Sequence, residues 1–207
     1  MRLYFVRHGE SENNALNIPQ VPDVGLSERG SREAKALAER IAHLPVDLIL
    51  SSPYKRTSET TEIINEHLQK PVEFTPLLQE RRNPSEIIGM SADDPESLRI
   101  RSLILENYGK EGWRYSDEET FSDLKDRALA LLQYTINLER ERILLVTHGA
   151  FLLFVIATMI FGEELTPHIH KKFIVSVRNN PTGLTVSEYT PENNWRLLTW
   201  NDLAHLG

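Results

Sequence analysis

Apolar residues along this chain follow two alternating patterns. Short runs rich in apolar residues occur at Leu3 to Val6, Val46 to Leu50, Val72 to Phe74 and Ile143 to Val146, the second and third interrupted by Asp47 and Glu73. Each has the length of a strand and no helical period, and the first and last are apolar throughout, as expected for a buried strand. Between them, apolar residues recur every third or fourth position. Ala34, Leu37, Ala38 and Ile41 mark the buried face of a helix that opens near Ser27, a good N-cap, with Glu28 in its first turn. Ser52-Pro53 predicts a second helix, with serine as cap and proline at the first helical position, running toward Leu68. Leu124, Ala128, Leu131 and Leu132 predict a long third helix from about Phe121 to Glu139. Strands alternating with helices imply an α/β fold, a three-layer αβα sandwich around a mostly parallel central sheet.

Elsewhere the rhythm breaks. Residues 9 to 25 read as loop, punctuated by Asn13-Asn14, Pro19, Pro22 and Gly25. Residues 80–118, with Pro84, Gly89, Pro95, Gly109, Gly112 and a helical patch from Leu98 to Tyr108, read as a cap-like insert over the sheet. The tail predicts an edge hairpin, Phe173 to Val177 with Leu184 to Tyr189 through Asn179-Asn180-Pro181-Thr182-Gly183, closed by Trp195 to Trp200. From Ile143 to Phe161 there is no charged residue, a stretch as long as a membrane span. Thr147-His148-Gly149 interrupts it, so it reads as a buried strand feeding a buried helix, and no membrane association is expected.

Composition narrows the partners. A chain of 207 residues favours one domain, residues 1–207, carrying the insert. The net charge of −7 argues against broad nucleic-acid binding while leaving room for a local arginine cluster around an anionic substrate. There are no cysteines, which excludes disulfides, thiolate catalysis and cysteine metal sites and fits a cytoplasmic protein. The apolar stretch before Arg7 is too short for a signal peptide. An edge hairpin offers a surface on which a homodimer can pair.

Candidate chemistry gathers where the strands end. In open parallel sheets, ligands bind beyond the carboxyl ends of the strands. His8 lies just past the first strand and Arg56 in the first turn of the helix after the second. Glu80 follows the third, and His148 follows the strand ending at Val146. These residue types suit phosphate chemistry. A neutral imidazole accepts a phosphoryl group, an arginine fork grips two oxygens, helix N-terminal amides add neutral donors, and a carboxylic acid protonates a leaving group. Taken singly, His148 reads as structural and Arg56 as a solvated helix residue. For the acid, Glu86 and the cluster Asp117-Glu118-Glu119 compete with Glu80.

At these residues the chain resembles the histidine phosphatase superfamily, which includes the cofactor-dependent phosphoglycerate mutases. Arg7-His8-Gly9, followed by Glu10-Ser11, matches that family's Arg-His-Gly signature. Ser51-Ser52-Pro53 with Arg56 and Thr60 matches its second arginine motif, Leu78-Gln79-Glu80 its Leu-x-Glu, and His148-Gly149 its second histidine. Lesser matches are Asn14, Leu26-Ser27-Glu28-Arg29-Gly30, Trp200-Asn201-Asp202 and His205-Leu206. The resemblance spans nearly the whole chain in order and implies a phosphoglycerate mutase-like fold. It also implies a mechanism. His8 is phosphorylated, Arg7, Arg56 and His148 hold the phosphoryl oxygens with Asn14 and Gly149 beside them, and Glu80 donates a proton and then assists water.

The resemblance implies neither metal nor cofactor. His168-x-His170 lacks neighbouring carboxylates or cysteines and reads as loop. After Glu80 the chain departs from the mutase Gly…Glu-Gly pattern, with Arg81-Arg82-Asn83-Pro84-Ser85-Glu86 before Gly89-Met90. Its insert is also short for a mutase, which must keep a phosphoenzyme from water. Hydrolysis of small phosphorylated metabolites is therefore expected, ahead of a phosphoglycerate-type mutase or a non-catalytic scaffold of the same fold. Arg81, Arg82, Arg99, Arg101, Trp113 and Tyr115 are candidates to read a second anionic or aromatic group, and each is as readily a solvated surface residue.

Overall fold

A computed structural model describes residues 1–15, 18, 21–192 and 194–207. Pro19, read above as loop punctuation, lies outside them. A single sheet runs in the order β3-β2-β4-β1-β5-β6. Its strands are β1 (Arg2–Arg7), β2 (Leu48–Ser51), β3 (Val72–Phe74), β4 (Arg142–Thr147), β5 (Leu184–Thr190) and β6 (Asn194–Asp202). The first four are mutually parallel, while β5 runs antiparallel to β1 and β6 antiparallel to β5.

The side-chain period of two in a strand makes the three layers. Leu3, Phe5, Leu48, Leu50, Ile143 and Leu145 face a core closed by α5 (Phe121–Asn137) and α6 (Gly149–Phe161). Tyr4, Val6, Ile49, Leu144 and Val146 face the opposite core with α2 (Glu28–Ile41) and α3 (Lys55–Leu68). The expected αβα sandwich is what forms. As read from the sequence, the Ser27 hydroxyl caps α2, accepting from Gly30 N–H at 3.0 Å.

Three local expectations are corrected. Ser52 does not cap α3, which begins at Lys55 after an extended Tyr54 that makes no side-chain cap bond. The expected first arm of the tail hairpin, Phe173 to Val177, is instead mostly the end of helix α7 (Pro167–Ser176). That segment is rich in strand-forming residues, but Thr166 and Pro167 start a helix, and Ile169 and Phe173 pack against the core. The hairpin is β5 with β6, so Trp195 to Trp200 is its second arm. His168 and His170 therefore stand on α7 rather than in a loop. The loop after β1 also contains a single helical turn, α1 (Glu12–Ala15).

The segment from residue 80 to 118 starts and ends at one place. Glu119 N–H donates to Arg82 O at 3.0 Å, and Ser85 N–H to Asp117 Oδ1 at 2.8 Å. Between them stands α4 (Pro95–Glu106), capped by Asp94. Among the described residues no helix is long and apolar enough to cross a membrane.

Candidate active site

Strand register sets the centre of the site. β1 and β4 pair with Arg7 opposite Thr147, and β2 and β4 with Ser51 opposite Val146. The next residues, His8, His148 and Ser52, are therefore neighbours beyond the sheet edge. Adjacent strands lie ~4.8 Å apart, and the two imidazole centroids are 5.2 Å apart. His8 N–H continues the ladder to Thr147 O at 2.9 Å, and Ser52 N–H to Val146 O at 3.1 Å.

Arg56 joins the two histidines. Its Nε–H donates to His8 Nε2 at 3.2 Å and its Nη2 to His148 Nδ1 at 2.9 Å, while Nη1 donates to Val21 O at 3.0 Å. These bonds fix both tautomers, because a guanidinium only donates and a carbonyl only accepts. His8 Nδ1, 2.7 Å from Gly9 O, carries the hydrogen, and its Nε2 presents a lone pair. His148 accepts through Nδ1, so its Nε2–H faces Ser52 Oγ at 2.8 Å. Both rings are buried. Burial, followed by the charges of Arg56 and Arg7, holds His8 well below the ordinary histidine range. His148 is lowered as well, first by burial and then by its neighbours His8, Arg56, Arg7 and Arg127. Both are neutral near pH 7, and a neutral imidazole with a fixed Nε2 lone pair is a nucleophile.

The charge around them is positive. Arg56 is fully buried with no ion-pair partner among the described residues, and burial pushes it down to about 10. Arg7 is lowered by burial as well. Its Nη1 donates to Asn179 O at 2.5 Å, while Nε is buried without a partner among the described residues. Gly149 admits Arg7, since a Cβ there would lie 3.2 Å from the guanidinium carbon. A second close approach sets His8 itself. A Cβ on Gly30 would come within 1.9 Å of Glu10 O, and one on Gly9 within 2.5 Å of Gly30 O. The Arg-His-Gly run and the start of α2 thus meet backbone to backbone.

Glu80 sits at the N-terminus of α6. Its carboxylate accepts from Ala150 N–H at 3.2 Å, Phe151 N–H at 3.0 Å and Arg81 N–H at 2.8 Å. It stands close enough to Arg7 and Arg56 to favour their charged forms. Three of the competing acids bond elsewhere. Glu118 accepts from the Tyr115 and Ser116 amides, Asp117 from Ser85, and Glu119 is forked to Arg127 at 2.8 Å. Asn14 stands in α1 with Oδ1 accepting from Ser11 N–H and Oγ, which closes its own turn.

The residue pattern left several contributors unseen. Ser52 orients His148, Tyr54 packs edge-on against that ring at 5.1 Å, and Asn179 anchors Arg7. Arg127 reaches Leu77 O and Gln79 O and so holds the loop that delivers Glu80. Ser52 and Asn179 lay in stretches already noted, Ser52 as a helix cap within the second arginine motif and Asn179 as part of a turn.

Two neutral histidines bridged by one arginine at the carboxyl edge of this sheet define an enzyme of the histidine phosphatase type. Residues 3–203 match the model of the histidine phosphatase superfamily (branch 1), and the chain belongs to that family. It is 29% identical to a probable phosphoglycerate mutase, GpmB, of Proteus mirabilis, over 100% of this chain and 95% of that protein. It is likewise 29% identical to an uncharacterized phosphatase, PhoE, of Bacillus subtilis, over 98% of this chain and 95% of that protein. In fold it resembles a phosphoserine phosphatase variant from Entamoeba histolytica solved with phosphoserine. The TM-score is 0.81 at 24% identity, covering 99% of this chain and 98% of that one.

Proposed function

We propose that the chain is a phosphatase that hydrolyses small phosphomonoesters through a phosphohistidine on His8. The observation that carries this reading is the fixed Nε2 lone pair of a neutral, buried His8 beneath Arg56. Nε2 attacks phosphorus and the P–O bond to the leaving group breaks. The electron pair goes to that oxygen, which takes its proton from Glu80. Water then loses a proton to the Glu80 carboxylate and attacks phosphorus, and the P–N pair returns to Nε2.

Arg7 and Arg56 hold the phosphoryl oxygens through stages that need positioning and charge stabilisation more than covalent help. Arg56 turns its donors from the imidazoles to the phosphoryl group. His148 joins them by taking at Nδ1 the proton that a monoanionic phosphate ester brings into the site, a transfer the resulting dianion favours. Gly149 and Asn14 line the approach, and residues 80–118 act as a cap-like insert. A phosphorylated metabolite as substrate agrees with the phosphoserine held by the Entamoeba neighbour.

The protein is expected to hydrolyse 4-nitrophenyl phosphate in excess chelator and to yield an acid-labile phosphoenzyme, with His8→Ala losing both. Retention of both by His8→Ala overturns the nucleophile. Loss of activity with chelator, restored by a divalent ion, overturns the metal-free route. The name of the Proteus relative supports a mutase as second reading. Interconversion of phosphoglycerate isomers outrunning their hydrolysis would select it.

A further inference from the structure

The chain on both sides of Glu80 ends on one ion pair. Arg127, on α5, is forked to Glu119, its Nε and Nη2 each 2.8 Å from a carboxylate oxygen. Its Nη1 donates to Gln79 O at 2.7 Å and Leu77 O at 3.2 Å, ahead of Glu80. Beyond Glu80, Arg82 N–H donates to Glu119 Oε2 at 2.8 Å and Glu119 N–H to Arg82 O at 3.0 Å. The backbone is therefore fixed at Gln79 and at Arg82, with only Glu80 and Arg81 between.

The pair also touches the place where the Glu80 carboxylate docks. The Arg127 guanidinium lies over the Phe151 ring, 3.8 Å from its centroid. Phe151 N–H is one of the amides that donate to Glu80. Glu80 accepts from three backbone amides, so its carboxylate goes where the surrounding backbone puts it. The side chains of Arg127 and Glu119 are only 15% and 14% exposed. An ion pair so little exposed costs desolvation that its attraction need not exceed, so stability alone accounts for it weakly.

We propose that Arg127, held by Glu119, is the positioning residue for Glu80: it clamps the chain on both flanks of the carboxylate and the ring beside its docking amides. It rests on the phosphatase reading above, in which Glu80 is the general acid. Nε, Nη1 and Nη2 of Arg127 all donate to protein acceptors, so it acts through Glu80 rather than on the substrate. Placement matters because a shift of about 1 Å in a reacting group can cost roughly 10²-fold in rate. The same pair joins the two ends of the 80–118 segment, so closing the base of that segment and seating the acid are one event.

The test compares kcat/KM for 4-nitrophenyl phosphate with that for benzyl phosphate, an ester of similar size whose alkoxide needs a proton to leave. Arg127→Met keeps a flexible side chain over Phe151 and removes the donors. It is expected to lose about tenfold or more on the benzyl ester and about twofold or less on the nitrophenyl ester. Arg127→Lys should recover part of the loss, since it keeps a donor without the fork. Glu119→Gln keeps the shape of the pair, loosens the fork and should move the ratio the same way, even if Arg127→Met fails to fold. Beside Glu80→Gln, Arg127→Met should add no further leaving-group effect. Equal losses on both esters, or a leaving-group effect that persists beside Glu80→Gln, overturns the proposal. Failure of the phosphatase reading looks different, because wild type then leaves both esters intact. Amide exchange still decides the placement in that case. The Ala150 and Phe151 amides should exchange about tenfold or more faster in Arg127→Met, with Leu144 in β4 unchanged. Unchanged exchange at Ala150 and Phe151 overturns it.

Discussion

Arg56 is the residue on which structure and chemistry make opposite demands. In the free protein its Nε and Nη2 donate to His8 and His148, and in the proposed reaction the same two donors serve phosphoryl oxygens. A hydrogen bond to a charged group contributes about 1.5–3 kcal/mol, so losing two removes roughly 3–6 kcal/mol of transition-state stabilisation. At 1.36 kcal/mol per tenfold, Arg56→Ala should lower kcat/KM for an aryl phosphate by about 10²–10⁴. Arg56→Lys keeps a charge without the fork and should recover only part of this. Stability should behave differently. Arg56 is a fully buried cation without an ion-pair partner among the described residues, so its removal relieves a desolvation cost that offsets the lost bonds. Urea midpoints of the two proteins should therefore lie close together. Removing the charge should also raise His8 and His148 toward the ordinary histidine range, visible as new imidazole titrations by NMR. A loss smaller than tenfold, or an Arg56→Lys enzyme indistinguishable from wild type, would refute the bridging role.

Glu80→Gln keeps an oxygen acceptor for the α6 amides but cannot donate an acidic proton, so it should slow poor leaving groups far more than 4-nitrophenol. Equal slowing of both would move the acid elsewhere. His8, His148 and His170 are all lowered in the folded protein, chiefly by burial, His170 to about 4. As pH falls below ~6.5 the unfolded chain therefore takes up protons that the folded one refuses, and stability drops by about 1.4 kcal/mol per pH unit for each histidine. Urea midpoints between pH 7 and 5 should show this slope, and His170→Phe should flatten it; a midpoint constant with pH refutes it. Gly30→Ala would set a Cβ within 1.9 Å of Glu10 O. It should cost about 3 kcal/mol by overpacking against rigid backbone and reduce activity by displacing Gly9 and His8. A thermal midpoint equal to wild type would show that α2 can move away freely.

Periodicity made the strands and the helix faces legible, because a strand buried on both sides must be apolar throughout and a helix on a sheet must be apolar every third or fourth residue. It misread Phe173 to Val177, where strand-forming residues continue a helix already begun at Thr166 and Pro167 and packed on the core. Ser52 misled for a related reason. A serine before a proline has the chemistry of a cap, and only the β2–β4 register turns its hydroxyl toward His148. Among the acids, pattern alone left Glu80 beside four rivals. What favours Glu80 in the proposed reaction is its place at the N-terminus of α6, near Arg7 and Arg56.

By itself the sequence determined the alternation of strands and helices, and hence the sheet edge at which His8, Arg56 and His148 collect. These are local consequences of side-chain period, which each segment carries with it. The tertiary structure decided what no segment contains. It set both tautomers through Arg56 and brought Gly9 against Gly30. It placed Glu80 on the first turn of α6 and tied both of its flanks to Glu119 and Arg127, far along the chain. Each of these depends on groups from distant segments meeting within hydrogen-bond or contact distance, and sequence spacing does not encode those distances.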